Sequence, residues 1–279
     1  MEAPVISASV VSGGVLWGGW APALFALFVW WFSTGAILCL VKHADKRGRR
    51  AHMRAALFTF PLFLAGLFGA WATLEMTTTA GVYLAFLSAL AVWGWVELAF
   101  LTGVITGPVN RPCPIGVPEW ERFIRAWGTI AYHEMLLAGL VLAFAAVALG
   151  SGNPFGLYTF LVLFLARISA KLNLFYGVRK INTEFLPEPL AHLPSHFRIA
   201  RLNWVFPISI TGLTAATWFW LERLAAAATP AEVAGYALLA ALTALAALEH
   251  WLMVLPLPDE KLWRWMLPAP KPTQDMKTE

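Results

Sequence analysis

The chain has 279 residues, of which 59% are hydrophobic and only 13% are charged. Its mean hydropathy of +0.66 excludes an ordinary soluble globular protein, and several windows exceed the roughly 20 apolar residues that cross a bilayer. The net charge of +4 and the two cysteines, Cys39 and Cys113, indicate neither a nucleic-acid-binding protein nor a disulfide framework in such a chain.

Apolar runs separated by polar connections rich in proline and glycine predict seven transmembrane helices. The predicted spans are 15–41, 55–74, 79–105, 123–149, 155–178, 204–224 and 231–257. The first residues carry an acid and no lysine or arginine, so they lack the basic region of a signal peptide, and the first span is expected to stay attached. The fold class is therefore an all-α polytopic membrane bundle. Residues 1–267 are expected to form one membrane domain and residues 268–279 a disordered cytoplasmic tail.

Lysine and arginine are distributed unequally between the two sides of the predicted spans. Seventeen of the twenty lie in the 1–2, 3–4 and 5–6 connections or after the last span, whereas Arg223 alone lies on the other side. The positive-inside bias places the basic side in the cytoplasm. We therefore predict that the N-terminus is outside and the C-terminus is cytoplasmic.

Seven charged or titratable residues lie inside the predicted spans, where burial is costly and usually marks a bundle interior or a watery cavity. They are Glu97, His133, Glu134, Arg167, Lys171, Glu249 and His250. Counted from the predicted cytoplasmic ends, they form one layer roughly 12–18 Å deep. Arg167 and Lys171 are four residues apart and share a helical face, and we expect Glu134 to pair with one of them.

The residues alone leave several uses of this layer open. An ion-pair network would fix the register of the helices, and a proton path or a pocket for a tetrapyrrole would use the same residues differently. A metal centre would draw its ligands from His133, Glu134, Glu97, Glu249 and His250. Neither Glu134 nor Glu249 is followed by histidine three residues later, as helical di-iron sites typically require.

On the 5–6 connection, Pro194 separates His192 from His196, and we interpret that segment as a solvated loop.

One long segment resembles a known family. The segment is LARISAKLNLFYGVRKINTEFLPEPLAHLPSHF, residues 165–197. It resembles the most characteristic stretch of the PuhE family, the photosynthetic complex assembly protein 2 of purple phototrophic bacteria. The YHE at 132–134, the WVELAF at 95–100 and the predicted seven spans fit the same family. The resemblance covers most of the chain and implies a multi-pass protein of the bacterial cytoplasmic, or intracytoplasmic, membrane.

This resemblance implies an accessory protein for assembly of the photosynthetic reaction-centre and light-harvesting complex, or for bacteriochlorophyll supply to it. The expected partners are membrane lipid, reaction-centre or light-harvesting subunits and other assembly factors, and no nucleic acid. The cofactor that the resemblance suggests is bacteriochlorophyll or a precursor. The family supplies no catalytic residues, and a non-enzymatic role is favoured. The alternative is a metal-dependent membrane oxidoreductase with a His/Glu site inside the bundle.

Overall fold

A computed structural model describes residues 18–181, 183 and 186–255. In this part of the chain the long helices are α1 (Trp20–Asp45), α2 (Arg49–Ala72), α3 (Thr79–Leu101), α4 (Glu119–Ala148), α5 (Phe155–Tyr176), α6 (Val205–Ala225) and α7 (Pro230–Leu252). Two short 3-10 helices, Glu188–Leu190 and Leu193–His196, lie between α5 and α6. The predicted all-α class is confirmed. The predicted tail, 268–279, lies outside the described residues.

Six of the described helices, α1 to α5 and α7, are long and apolar enough to cross a membrane. The exception is α6, which occupies the predicted span 204–224 but carries several hydroxyl side chains and has Glu222 and Arg223 in its last turn. This helix packs most extensively against α7, to which it is joined by a short connection. A polytopic helix bundle is therefore the architecture, and α6 belongs to it through its packing.

Among the six candidate spans, α3 and α7 are the most buried, whereas few residues of α1 and α2 are buried. On α3, Phe86, Val92 and Val96 are almost completely inaccessible. On α2, Phe58 and Phe68 are exposed. Lipid tails are as apolar as these side chains, so an exposed apolar face is the surface that a membrane bundle is expected to present.

The connections after α2 and after α4 meet at one end of the bundle. The peptide N–H of Asn153 donates to the carbonyl of Leu74 at 2.7 Å. Its side-chain amide donates to the carbonyls of Thr73 at 3.1 Å and Met76 at 3.2 Å. One buried asparagine thus joins the α2–α3 connection to the α4–α5 connection.

At the opposite end, the start of α4 is tied to the segment between α5 and α6. The guanidinium of Arg122 donates to the carbonyls of His196 and Phe175, at 2.9 Å each. The peptide N–H of Lys180 donates to the carbonyl of Met253 at 3.0 Å. This end also carries the basic connections, so the segments predicted to lie in the cytoplasm are neighbours in space.

Candidate functional site

Two ion pairs join α5 to its neighbouring helices. The guanidinium of Arg167 donates to Oε2 of Glu97 on α3 at 2.9 Å, and Nζ of Lys171 contacts Oε1 of Glu134 on α4. Because the two cations are one helical turn apart, each meets the carboxylate of a different helix. We expected Glu134 to pair with one of these two cations, and in the structure it contacts Lys171.

His133 lies between the two carboxylates without binding either one. Its ring is fully buried, and Nε2 lies 3.7 Å from Oε1 of Glu97 and 3.8 Å from Oε1 of Glu134, beyond hydrogen-bonding distance. Neither ring nitrogen has a hydrogen-bond partner among the described residues, while the ring packs 4.5 Å from that of Phe100. We call Glu97, His133, Glu134, Arg167 and Lys171 the charged cluster.

The other two predicted members, Glu249 and His250, lie outside this cluster. His250 is buried, and its ring nitrogens contact Oγ of Ser169 and the carbonyl of Ala246, both at 2.8 Å. Glu249 is exposed and lies in the last turn of α7, because that helix ends at Leu252 rather than at residue 257. The seven residues of the predicted layer thus lie in separate local environments.

The described donors do not fit a metal centre. Within residues 18–181, 183 and 186–255, no group of three or more histidine, cysteine, aspartate or glutamate side chains is arranged to hold a metal ion. Glu97 and Glu134 are each engaged by a cation, and both nitrogens of His250 have partners. A site with several free nitrogen and oxygen ligands is therefore not formed by these residues.

A second polar cluster, which the sequence analysis missed, joins α5, α6 and α7. The side-chain amide of Asn173 donates to Oγ of Ser209 at 2.8 Å, and the amide of Asn203 donates to Oδ1 of Asn173 at 3.1 Å. His250 is connected to this cluster through its contact with the hydroxyl of Ser169. Ser169 lies two residues after Arg167, about 200° around the helix. One face of α5 therefore carries the charges and the other the neutral polar groups.

An apolar cavity of about 360 Å³, which we call cavity A, lies between α3, α4, α5 and the segment that follows α5. Its charged lining consists of Glu134, Arg167 and Lys171. Its aromatic lining consists of Phe100, Phe123, Trp127, Phe164, Phe175 and Phe197. More than half of all its lining residues belong to the segment 165–197, so this one segment shapes most of the cavity.

A second cavity, cavity B, has a volume of about 370 Å³ and lies between α1, α3, α5 and α7. Its charged residues are Glu97, Arg167 and Glu249, and its indoles are Trp30 and Trp93. Arg167 lines both cavities. The wall that separates the two cavities therefore includes the ion pair between α3 and α5.

His196 lines cavity A and is only 2% exposed, so the interpretation of this segment as a solvated loop is wrong for this residue. The hydroxyl of Ser195 donates to the carbonyl of His192 at 2.6 Å, and its oxygen lies 3.2 Å from Nδ1 of His196. Because the hydroxyl proton is already used, Nδ1 carries the imidazole proton and donates it to Ser195. Nε2 then has a free lone pair, is buried and has no hydrogen-bond partner in the described chain.

Burial lowers the pKa of His196, and the nearby Arg122 and Arg125 act in the same direction. The imidazole is therefore held neutral. A neutral ring whose tautomer is set by a hydrogen bond at Nδ1 is the form in which histidine coordinates a metal or accepts a hydrogen bond.

A family model described as a protein of unknown function, DUF3623, matches residues 17–274. The chain belongs to the DUF3623 family. It is also 55% identical over 251 residues to a Rhodobacter capsulatus protein described as an uncharacterized 30.4 kDa protein in the puhA 5' region. That match covers 90% of this chain and 91% of the relative. No solved structure matches the chain.

In this DUF3623 protein the charges near cavity A cancel in pairs. Lys171 lies on Glu134, and Arg167 lies on Glu97. A molecule in cavity A would therefore meet neutral ion pairs on one side and aromatic rings on the others. This lining suits a large apolar ligand better than a small ion, since ligand pockets are mostly apolar with a few placed polar groups.

Proposed function

We propose that this protein is an accessory factor for the assembly of the photosynthetic reaction-centre and light-harvesting complex, and that it holds bacteriochlorophyll or a precursor in cavity A. The observation that carries the proposal is that the segment 165–197, which resembles the PuhE family, forms more than half of the lining of cavity A. The relative's position in the puhA 5' region agrees with the photosynthetic role that the resemblance implies. The membrane would be the bacterial cytoplasmic or intracytoplasmic membrane.

Cavity A has the size of an ordinary ligand pocket, and two features of its lining fit a tetrapyrrole. The cavity volume of about 360 Å³ lies within the range of ligand pockets, about 300–1,000 Å³. The aromatic side chains of the walls suit a flat conjugated ring. The buried and unpartnered Nε2 of His196 suits the central metal of such a ring, with Ser195 orienting the imidazole.

His133, one of the two histidines that the sequence suggested as ligands, is less suited to this role. It lines neither cavity A nor cavity B and lies between two paired carboxylates. We propose that His133 fills the space inside the charged cluster and that His196 contacts the cofactor. The charged cluster would then hold α3, α4 and α5 at the spacing that leaves cavity A open.

The function is tested by deleting the gene in a phototrophic host. Reaction-centre and core-antenna levels should fall, measured by absorption spectra of isolated membranes, while aerobic growth in the dark is unaffected. Equal loss of growth in the dark would instead indicate a general membrane function and would contradict the proposal.

The cavity is tested by complementing the deletion with variants of α4. Ala126 lines cavity A, so Ala126→Trp should fill it and fail to restore the complexes although the protein accumulates. Leu142 is 71% exposed on the same helix, and Leu142→Trp is the matched control that should restore them. Full restoration by Ala126→Trp would show that cavity A is not used.

A further inference from the structure

Cavity B contains a carboxylate that forms no ion pair with a cation of the described residues. Glu249 is exposed on the cavity wall, and none of the ion pairs formed between described residues includes it. Its polar contact is with the side chain of Trp30. Arg167, the cation on the same wall, donates its hydrogen bond to Glu97. Cavity B therefore has one more carboxylate than it has cations.

The surroundings of Glu249 favour an organic cation. Trp30 and Trp93 line the same cavity, and indole rings attract ammonium groups through the negative face of the ring. The hydroxyls of Ser33 and Thr34 also belong to the lining. The remaining walls are apolar, with side chains such as Leu90, Val162, Leu163 and Leu242.

The position of Glu249 along the bundle favours an amphiphile over a small hydrophilic ion. Glu249 lies in the last turn of α7, at the end of the bundle where the basic connections gather, and lipid headgroups lie near the ends of membrane helices. A carboxylate without an ion-pair partner in a membrane segment is costly. A bound ammonium group would remove this cost through charge-assisted hydrogen bonds.

We propose that cavity B binds an amphiphile with an amino headgroup, its ammonium against Glu249 and its apolar chain along the walls formed by α1, α5 and α7. Phosphatidylethanolamine of the bilayer and a free long-chain amine share this chemistry. This proposal does not rest on the cofactor proposed for cavity A, although Arg167 lines both cavities.

The test is native mass spectrometry of the full-length protein released from nanodiscs that contain equal amounts of phosphatidylethanolamine and phosphatidylglycerol. Wild-type protein should retain phosphatidylethanolamine preferentially. Glu249→Gln keeps the size and a hydrogen-bonding end, and it should lower that preference by about tenfold or more, as expected for a lost charge-assisted hydrogen bond. The matched control, Glu222→Gln, changes an exposed glutamate of α6 and should keep the preference.

A second arm uses nanodiscs of phosphatidylglycerol alone with added dodecylamine or, as its neutral counterpart, dodecanol. Retention of dodecylamine but not dodecanol supports the site, and its displacement by phosphatidylethanolamine identifies the lipid as the stronger ligand. This arm needs only wild-type protein, so it tests the proposed site even if Glu249→Gln does not accumulate. Equal retention of amine and alcohol, or an unchanged lipid preference in Glu249→Gln, would overturn the proposal.

Discussion

Arg167 and Glu97 form a 2.9 Å hydrogen-bonded ion pair between α5 and α3, in the wall that separates cavity A from cavity B. One turn further along α5, Lys171 forms its own pair with Glu134 of α4. Each carboxylate thus has its own cation, and α5 is held to two helices by separate contacts. This separation lets the two pairs be tested independently.

We expect Glu134→Gln to lower the amount of protein in the membrane, because it leaves Lys171 without its partner. Removing one member of a buried pair typically costs about 3–5 kcal/mol. Adding Lys171→Met should restore much of the protein, since the remaining buried charge is then removed. The measurement is the quantity of protein in isolated membranes, determined by immunoblotting.

The matched control for this rescue combines Glu134→Gln with Arg167→Met. That combination should be worse than Glu134→Gln alone, because Glu97 also loses its partner. Rescue by Arg167→Met rather than by Lys171→Met would show that the pairs are assigned wrongly.

Two histidine variants distinguish packing from cofactor binding. His133→Leu breaks no hydrogen bond of the described structure and should leave both protein abundance and bound pigment near wild type, since replacing an unpaired buried polar group by an apolar one costs little. His196→Leu should remove bound pigment at normal abundance. The absorption spectrum of purified protein measures the bound pigment of each variant, and immunoblotting of isolated membranes measures its abundance. Loss of pigment in His133→Leu with retention in His196→Leu would assign the ligand to His133.

Acidification should destabilise the segment between α5 and α6. Burial lowers the pKa of His192 and of His196, so the folded protein favours their neutral forms. Their contribution to the free energy of unfolding is fully present above the unfolded pKa, about 6.5. It is lost as the pH falls from that value towards the lowered pKa of the folded state.

Thermal unfolding of detergent-solubilised protein between about pH 7.5 and pH 5.5 measures this dependence. His196→Leu should make the midpoint less sensitive to pH. His43→Gln changes an exposed histidine at the end of α1 and should leave the sensitivity as in wild type. A pH dependence that is unchanged in His196→Leu would exclude that histidine as its source.

The orientation in the membrane is tested with a reporter enzyme that is active only in the periplasm. Asn153 lies at the end of the bundle opposite to the basic connections, so a fusion near Asn153 should be active. A fusion after residue 279 should be silent, because the positive-inside bias places the C-terminus in the cytoplasm. The reverse pattern would overturn the predicted orientation.

The long helices could be predicted because lipid-spanning segments need long apolar runs, but their ends depend on local signals that hydropathy does not show. Helix α3 ends at Leu101 rather than at residue 105, just before Gly103, whose φ of 73° is left-handed. Helix α4 begins at Glu119 rather than at residue 123, after Pro118 and with acidic residues in its first turn. A left-handed glycine commonly follows the end of a helix, and acidic residues in the first turn stabilise its start.

The charged cluster could be anticipated because lysine, arginine and glutamate are conspicuous in apolar segments. The neutral cluster of Asn173, Asn203 and Ser209 was not predicted, because uncharged polar residues cost less in a membrane segment than charges do and their contacts with one another depend on tertiary packing. The burial of His196 was not predicted, because it depends on how the segment after α5 folds back over α4. That contact joins residues far apart in the chain, and no local pattern predicts it.

Arg167 lines both cavities, and this position has a thermodynamic consequence. A molecule in cavity A that draws the guanidinium away from Glu97 would change the charge that a molecule in cavity B encounters. Linkage requires the effect to be reciprocal: whatever factor one ligand imposes on the affinity of the other is imposed on its own affinity in return. If both proposed ligands bind, the headgroup composition of the surrounding bilayer would then set how tightly this protein retains its cofactor.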